Sequence, residues 1–180
     1  MVDGQTARRP DGREPLVSGE RGAEAYRALD AVMDPEVPVL SVVELGVVRA
    51  VEADEHRATV TLTPTYSGCP AMQLIEDEVR TRLAEAGFGD VVIRTVYSPP
   101  WTTDWIPEAA REKLRAYGIT PPGPVEPQEP IPLGPTVRTA TCPFCGSPNT
   151  VLESEFGPTA CKSLHYCHAC EQPFEHFKPF

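Results

Sequence analysis

The chain has 180 residues, and its 16 basic and 26 acidic side chains give a net charge of −10 at pH 7. This balance disfavours binding to nucleic acid or to an anionic membrane surface, because neither would meet a positive field. Hydrophobic residues make up 41% of the chain, which excludes wholesale disorder, and no apolar run approaches the roughly 20 residues that span a bilayer. The first residues lack the apolar segment of a secretory signal, so we expect a cytoplasmic protein.

Composition divides the chain into four regions. Residues 1–20 show no apolar periodicity and are predicted to form a flexible arm. Residues 21–117 hold nearly all of the periodic aliphatic segments and form the predicted main domain. Residues 118–136 contain seven prolines, which favour an extended polyproline-II spacer. Residues 137–180 form a cysteine-rich module.

The main domain is predicted to be α+β, with the element order α-β-β-α-β and a trailing helix. Ala25, Leu29 and Val32 recur at helical spacing, and Pro35 is expected to end that helix. Residues 47–65 predict a β-hairpin that turns at residues 54–56, because its second half alternates apolar residues with threonines.

The remaining elements of the main domain follow the hairpin. A second helix carries an apolar stripe and is expected to end at Gly87. Residues 90–98 predict a third strand, and Pro107 suits the first turn of a last helix that runs to Tyr117. The expected architecture is a three-stranded sheet covered by helices. The apolar stripe of the second helix consists of Met72, Ile75, Val79, Leu83 and Ala86.

Two CxxC pairs dominate the C-terminal module: Cys142 with Cys145, and Cys167 with Cys170. Four thiolates at this spacing can converge on one tetrahedral ion, which predicts a structural Zn²⁺ ribbon. A module of about 44 residues buries too little surface to fold alone, so the metal would supply folding free energy. A rubredoxin-type iron site and unmetallated thiols are the alternatives, and Glu171 replaces the glycine that follows the first pair.

Other residues of the module leave two interpretations open. Cys161 is either a small buried residue of the ribbon hairpin or a reactive thiol or exchangeable ligand. The aromatic residues near the C-terminus are expected to pack against the ribbon, with a docking tail as the alternative. The histidines of the module could replace one cysteine at the metal, which is a minority interpretation. The aromatic residues are Phe174, Phe177 and Phe180, and the histidines are His165, His168 and His176.

Cys69 lies in the loop Tyr66-Ser67-Gly68-Cys69-Pro70, immediately before the second helix. If Pro70 is the first helical residue, the free N–H groups of that helix would lower the pKa of the thiol. A thiolate there suits the handling of a metal or cluster, whereas the other interpretation is a small capping residue. No histidine lies near Cys69 in the sequence to act as a base, so an independent thiol-dependent enzyme is disfavoured.

Three segments of the main domain resemble the MIP18 family, also called domain of unknown function 59. The first begins at Asp34-Pro35-Glu36 and continues through Glu44, the second contains Gly68-Cys69-Pro70, and the third is Ser98-Pro99-Pro100-Trp101. The resemblance covers about residues 24–118. It implies a small α+β fold, a role in iron–sulfur cluster assembly, and Cys69 as the functional thiol. Glu44 stands where many relatives have aspartate.

The combination of this domain, a proline-rich spacer and the ribbon resembles the family of accessory D proteins of aerobic phenylacetate degradation. That resemblance implies a non-catalytic accessory role beside phenylacetyl-CoA epoxidase, whose system contains a diiron oxygenase and an iron–sulfur flavoprotein reductase. The first hypothesis is delivery of iron or a transient Fe–S cluster to the reductase. Cys69 is the carrier in this hypothesis, either alone or together with Cys161. A purely structural or adaptor subunit of the oxygenase is the alternative.

Overall fold

The computed structural model describes residues 15–125 and 140–180, whose contacts divide them into one unit up to Trp101 and another from Thr102 onward. The predicted fold class, an α+β domain followed by a β ribbon, is confirmed. Among these residues no helix is both long and apolar enough to cross a bilayer. The elements are β1 (Leu16–Ser18), α1 (Gly19–Leu29), β2 (Val48–Ala53), β3 (Arg57–Leu62), α2 (Met72–Glu85), β4 (Asp90–Thr95), a 3₁₀ turn (Thr103–Trp105), α3 (Glu108–Tyr117), β5 (Ile119–Thr120), β6 (Thr150–Ser154), β7 (Lys162–Cys167) and β8 (Gln172–Phe177).

The first unit is built on a four-stranded sheet in the order β1-β2-β3-β4. β1 is parallel to β2, β2 is antiparallel to β3, and β3 is parallel to β4. Three strands were expected, and β1 was missed because it is only three residues long and lies within the predicted arm at residues 1–20. The part of that arm formed by residues 1–14 lies outside the described residues.

The hydrophobic core of the first unit lies between the sheet and its two helices. On β3, Ala58, Val60 and Leu62 are fully buried, whereas Thr59 and Thr61 are partly exposed, as the alternation predicted. α1 packs against β2, α2 packs against β4, and the two helices contact each other, so both cover the same face. Each large aliphatic side chain buried there contributes about 1.5–3 kcal/mol to folding.

Local interactions explain where the elements of the first unit begin and end. The Asp54 carboxylate accepts the N–H groups of His56 and Arg57, both at 2.9 Å, which closes the predicted turn between β2 and β3. α1 ends at Leu29, well before Pro35. Val32 lies after the end of the helix and is nevertheless buried. α2 begins at Met72, so the prediction that Pro70 is its first residue is wrong.

The second unit contains the ribbon sheet in the order β5-β8-β7-β6. β5 lies inside the segment predicted to be a spacer, residues 118–136, and pairs in parallel with β8 through Ile119 opposite Glu175. α3 packs against β5, so the last helix belongs with the ribbon and not with the first domain. This differs from the predicted boundary between residues 117 and 118. The remainder of the predicted spacer beyond residue 125 lies outside the described residues.

Hydrogen bonds join the first residues of the second unit to its last ones. The Phe180 carbonyl oxygen accepts a hydrogen bond from the Thr102 hydroxyl at 2.8 Å and from the Thr103 N–H at 3.2 Å. The Arg111 guanidinium on α3 donates to the carbonyl oxygens of Thr103 and Pro122. Phe174 and Phe177 are buried against the ribbon, as expected.

Gly118 provides a test of the joint between α3 and β5. Its φ is +95°, and a Cβ atom there would lie 3.0 Å from the Phe144 ring. Gly118→Ala should therefore destabilise the second unit by about 1–2 kcal/mol, because an L residue is strained at this φ. Thermal unfolding of the full chain measures the change.

The matched control is Gly123→Ala, since a Cβ atom at Gly123 meets nothing within 4 Å. This control should leave the stability within about 0.5 kcal/mol of the original. Equal effects of the two substitutions would contradict the role assigned to Gly118.

Candidate functional site

The sheet of the first unit brings the three motif segments to one end. The start of β2 lies opposite the end of β3, with Val48 paired to Leu62, and the end of β4 lies on the other side, with Leu62 paired to Thr95. The loop before β2, the loop after β3 and the segment after β4 must therefore meet. The Trp101 indole N–H confirms this by donating to the Leu45 carbonyl oxygen at 3.0 Å.

Asp34 organises the first of these loops. Its Oδ1 accepts the N–H of Glu36 at 2.7 Å and that of Val37 at 2.9 Å, and the residue is only 5% exposed. Pro35 fits between them because this turn needs no N–H donor from that position. The Asp34 backbone N–H also donates to the Leu40 carbonyl oxygen at 2.9 Å, so the loop folds back on itself.

Glu44 closes a capping box with Ser41. The Ser41 N–H donates to Glu44 Oε2 at 3.1 Å, and the Glu44 N–H donates to Ser41 Oγ at 3.1 Å. This reciprocal pair is the S-x-x-E arrangement, in which the longer glutamate side chain reaches back to the capping residue. The departure from aspartate at this position therefore keeps a carboxylate with a defined structural role.

Cys69 is half-buried in the loop after β3. Its backbone N–H donates to the Tyr66 carbonyl oxygen at 3.3 Å, and its own carbonyl oxygen accepts the Met72 N–H at 3.4 Å. The thiol also interacts with the Ala71 N–H and with the Tyr66 side chain. Tyr66 was not singled out from the sequence, although its position three residues before Cys69 in the same loop was the available signal.

The expected lowering of the Cys69 pKa is wrong. Burial raises the pKa of this thiol, and the negative charges of Glu36 and Asp34 raise it further. Hydrogen bonds from Ala71 and Tyr66 oppose these effects without outweighing them. Because the helix begins three residues after Cys69, its N-terminal dipole does not dominate the local field. The raised pKa therefore favours the protonated form of the Cys69 thiol at neutral pH.

The second unit holds the four-cysteine centre. The Sγ atoms of Cys142, Cys145, Cys167 and Cys170 all lie within 4.8 Å of one another. Two of the separations, Cys142 to Cys170 and Cys145 to Cys167, are 3.6 Å. Tetrahedral zinc with Zn–S bonds of about 2.3 Å requires sulfurs roughly 3.8 Å apart, so the geometry fits this ion.

Backbone turns shape both halves of the centre. Gly146 follows the first CxxC pair with a φ of +73°, and Glu171 follows the second pair with a φ of +57°. The Gly146 N–H donates to the Cys142 carbonyl oxygen, and the Glu171 N–H donates to that of Cys167. Glu171 therefore adopts the left-handed turn of a glycine despite its side chain, so the sequence difference between the two pairs leaves the fold of the turn unchanged.

The chemistry of the four thiols also favours a bound cation. Burial, together with the neighbouring thiols, raises the pKa of Cys170 to about 12. Burial also opposes ionisation of Cys167, but backbone N–H groups of Cys170 and Ala169 hold its pKa down at about 7. Four adjacent thiols cannot all ionise without a compensating charge, and a divalent ion supplies that charge. These residues would hold a structural Zn²⁺ that stabilises the ribbon.

The other candidate ligands lie apart from this centre. Cys161 is 2% exposed, and its sulfur lies 3.2 Å from the Thr159 hydroxyl, which favours the interpretation as a small buried residue. His165 is buried, and its Nε2 lies 3.1 Å from Ser163 Oγ. Within residues 15–125 and 140–180, the group of side chains able to hold a metal contains the four cysteines and no histidine.

Two protein families match separate parts of the chain. The family described as iron-sulfur cluster assembly protein matches residues 23–94. The family described as PaaD zinc beta ribbon domain matches residues 127–178. The two matches fall on the segments that contain Cys69 and the four-cysteine centre.

Individual relatives match the chain over different lengths. The chain is 43% identical over 155 residues to the D component of the putative 1,2-phenylacetyl-CoA epoxidase of Escherichia coli K12, an alignment that covers 86% of this chain and 91% of the relative. It is 41% identical over 89 residues to the Fe-S protein maturation auxiliary factor YitW of Bacillus subtilis 168, over 48% of this chain and 86% of that protein. A solved domain of unknown function 59 from Bacillus anthracis is 32% identical with a TM-score of 0.48, over 51% of this chain and 89% of that one.

The zinc assignment predicts different effects for two cysteine substitutions. Cys145→Ser should lower the zinc bound per chain well below about one equivalent and destabilise the second unit, because a structural site needs four ligands. Cys161→Ser should keep its zinc, since its sulfur lies outside the centre. Elemental analysis of the purified variants measures the zinc content, and zinc loss in both variants would contradict the assignment.

The raised pKa of Cys69 predicts the pH dependence of its alkylation. Iodoacetamide should react with Cys69 at a half-maximal pH above that of an unperturbed cysteine, with Cys69→Ser as the background. Glu36→Gln removes a negative charge that raises this pKa, so alkylation at neutral pH should become faster. Glu85→Gln, at the far end of α2, is the matched control and should change nothing. Slower alkylation of the Glu36→Gln variant would contradict this assignment of the charge effect.

Proposed function

The chain belongs to the family of the D component of 1,2-phenylacetyl-CoA epoxidase, and we propose that it is a non-catalytic accessory protein that delivers iron or an Fe–S cluster to the iron–sulfur reductase of the epoxidase system. Cys69 is the carrier thiol in this proposal, and the four-cysteine ribbon has a structural role. The observation that carries the proposal is the convergence of the three motif segments around a half-buried Cys69.

The surroundings of Cys69 suit reversible binding of iron. The thiol gives up its proton to solvent when its sulfur binds the metal, and it regains a proton when a cysteine of the recipient protein replaces it. No electron transfer is needed in this ligand exchange. Because the pKa of Cys69 is raised, protons compete with iron for the sulfur at neutral pH. Iron is then held weakly enough to be released, which a carrier requires.

The match of the first unit to the iron–sulfur cluster assembly family supports this role. The relative from Bacillus subtilis is named as a maturation factor and aligns over a length that corresponds to the first unit alone. The ribbon is the part that matches the PaaD domain, so it is the natural element for recognition of the epoxidase components. Carriage and recognition are thereby assigned to different units of one chain.

A structural or adaptor subunit of the oxygenase is the second candidate function. The observation that favours it is the same raised pKa, because a protonated thiol is a poor nucleophile and a poor metal ligand. An adaptor would co-purify stoichiometrically with the oxygenase and would not need Cys69. Dissociation of that complex at moderate salt, together with impaired loading of the cluster into the reductase, would contradict the adaptor function.

Substitution of the carrier cysteine separates the two functions. Cys69→Ser should lower the iron and sulfide content of the co-expressed reductase several-fold, since a hydroxyl is a poor ligand for iron. The buried Cys161 offers a matched control, and Cys161→Ser should leave the loading of the reductase unchanged. Iron and sulfide assays and the visible absorption spectrum of the reductase measure the effect. Full loading by the Cys69→Ser variant would rule out the carrier role and leave the adaptor.

A further inference from the structure

β4 has the longest regular free edge among the described strands. The outer strands are β1 and β4 in the first sheet and β5 and β6 in the ribbon sheet. β1 has three residues and β5 has two, and the pairing of β6 with β7 is irregular between Leu152 and Ser154. β4 has six residues and keeps an unbroken register with β3. A long, flat edge is a template for pairing with another chain, and most proteins shorten or bend such edges.

The sequence of β4 favours an extended strand that can accept a neighbour. Val91, Val92 and Ile93 are consecutive β-branched residues, and the strand contains no proline to block pairing. Within residues 15–125 and 140–180, no strand pairs with the edge of β4 that faces away from β3. This edge is therefore open to a strand from another molecule.

Hydrogen bonds to β3 determine which residues of β4 face the free edge. The N–H groups of Asp90 and Val96 donate to carbonyl oxygens of the β3 segment at 3.0 and 2.9 Å. Alternate residues of a strand bond to the same neighbour, so the N–H and C=O groups of Val91 and Ile93 point away from β3. An antiparallel partner must place its own outward-pointing groups opposite these two residues.

The side chains of β4 alternate between two faces of the sheet. Val91 and Ile93 lie opposite buried residues of β3, on the face that the helices cover. Asp90, Val92 and Arg94 lie on the other face, where the two charged residues are exposed. Val92 is midway between a negative and a positive side chain, so this face of the strand is complementary to itself when the direction is reversed.

We propose that β4 pairs antiparallel with β4 of a second copy of this chain, with Val92 on the two-fold axis. In this register Val91 lies opposite Ile93 of the second copy, and the two residues exchange backbone hydrogen bonds. Asp90 lies opposite Arg94 of the second copy, and the symmetry forms the same ion pair twice. Opposite charges that face each other across antiparallel strands stabilise the pair.

Other registers of the same two strands lose this complementarity. With Ile93 on the axis, Arg94 lies opposite Val92, and with Val91 on the axis, Asp90 lies opposite Val92. An axis between two residues would place groups that bond to β3 opposite groups that face the partner, so the hydrogen bonds would be lost. Backbone hydrogen bonds and side-chain charges therefore select one register.

The remaining charges near this edge are compatible with the pairing. Arg57 lies 3.4 Å from Asp90, but it belongs to β3 and lies on the side away from the second copy. Arg94 has no carboxylate partner within the described residues. Glu76 lies on α2, on the covered face, and is paired with Arg80. The net charge of −10 opposes association, but salt at physiological concentration screens it beyond about 8 Å.

The pairing has a consequence for Cys69 that does not depend on the carrier role. Four strands from each copy would form one continuous sheet of eight strands. Because the two β4 strands run in opposite directions, the ends of the sheet that carry the Cys69 loops would lie at opposite ends of the dimer. Each Cys69 would then be approached separately by another protein.

The test measures the dimer dissociation constant of the full, zinc-loaded chain by sedimentation equilibrium. The original chain should form a dimer at micromolar to submillimolar concentration. Asp90→Arg and Arg94→Asp should each weaken the dimer by about tenfold or more, because each substitution replaces two attractive pairs with two repulsive ones. Glu52→Arg, an exposed charge reversal on β2, is the matched control and should leave the dissociation constant unchanged.

A mixture of the two weakened variants tests the register. One copy that carries Asp90→Arg and one that carries Arg94→Asp have opposite charges at both pairs, so the mixture should form a dimer with nearly the original affinity. Recovery in the mixture also shows that both variants are folded. The side chain of Asp90 is 62% exposed, so loss of its ion pair with Arg57 should change the melting temperature little.

Three results would overturn the proposal. The original chain could stay monomeric over the whole concentration range, which would leave the edge of β4 for a different protein. The single charge reversals could leave the dimer intact, which would place the interface on another surface. The mixture could fail to recover the affinity, which would exclude the register with Val92 on the axis.

Discussion

The alignment of strand ends on either side of β3 is the constraint on which the site depends. Because Leu62 pairs with Val48 on one side and with Thr95 on the other, three loops distant in sequence must emerge at one end of the sheet. Hydrogen bonds of Asp34 and Glu44 then give the first loop a fixed shape. A slip of β3 by one residue would expose its buried face and separate these loops. Core packing and site geometry are therefore secured by the same register.

The ribbon depends on a different kind of constraint. Its buried cluster is small and includes two of the cysteines, Cys142 and Cys167, together with Ala140 and Phe174. Such a cluster buries too little apolar area to hold three strands and two turns, so binding of a metal at the four cysteines would be coupled to folding of the ribbon. α3 and β5 enlarge the second unit. The Arg111 guanidinium on α3 donates to the Thr103 carbonyl oxygen near the start of this unit, and the Phe180 carbonyl oxygen at its end accepts a hydrogen bond from the Thr102 hydroxyl.

The sequence predicted the elements whose signals are local. The alternation on β3, the turn at Asp54 and the spacing of the CxxC pairs each depend on residues close together in the chain. The missed features depend on partners far away in sequence. β5 is a strand only because Ile119 pairs with Glu175, and the Cys69 pKa is raised by burial and by charges from the loop before β2. Neither effect can be recognised from the residues that are adjacent in the sequence.

The two kinds of cysteine in this chain differ in what they leave available to another protein. Four thiolates complete a tetrahedral site, so the ribbon centre has no open position for exchange. Cys69 offers a single sulfur, and within the described residues it joins no group of three metal-binding side chains. One sulfur cannot hold iron alone, so the remaining ligands must come from the protein that supplies or receives the metal. In the proposed carrier role, the protein that supplies or receives the metal must therefore contact the first unit at the half-buried Cys69 itself, whatever part the ribbon plays in recognition.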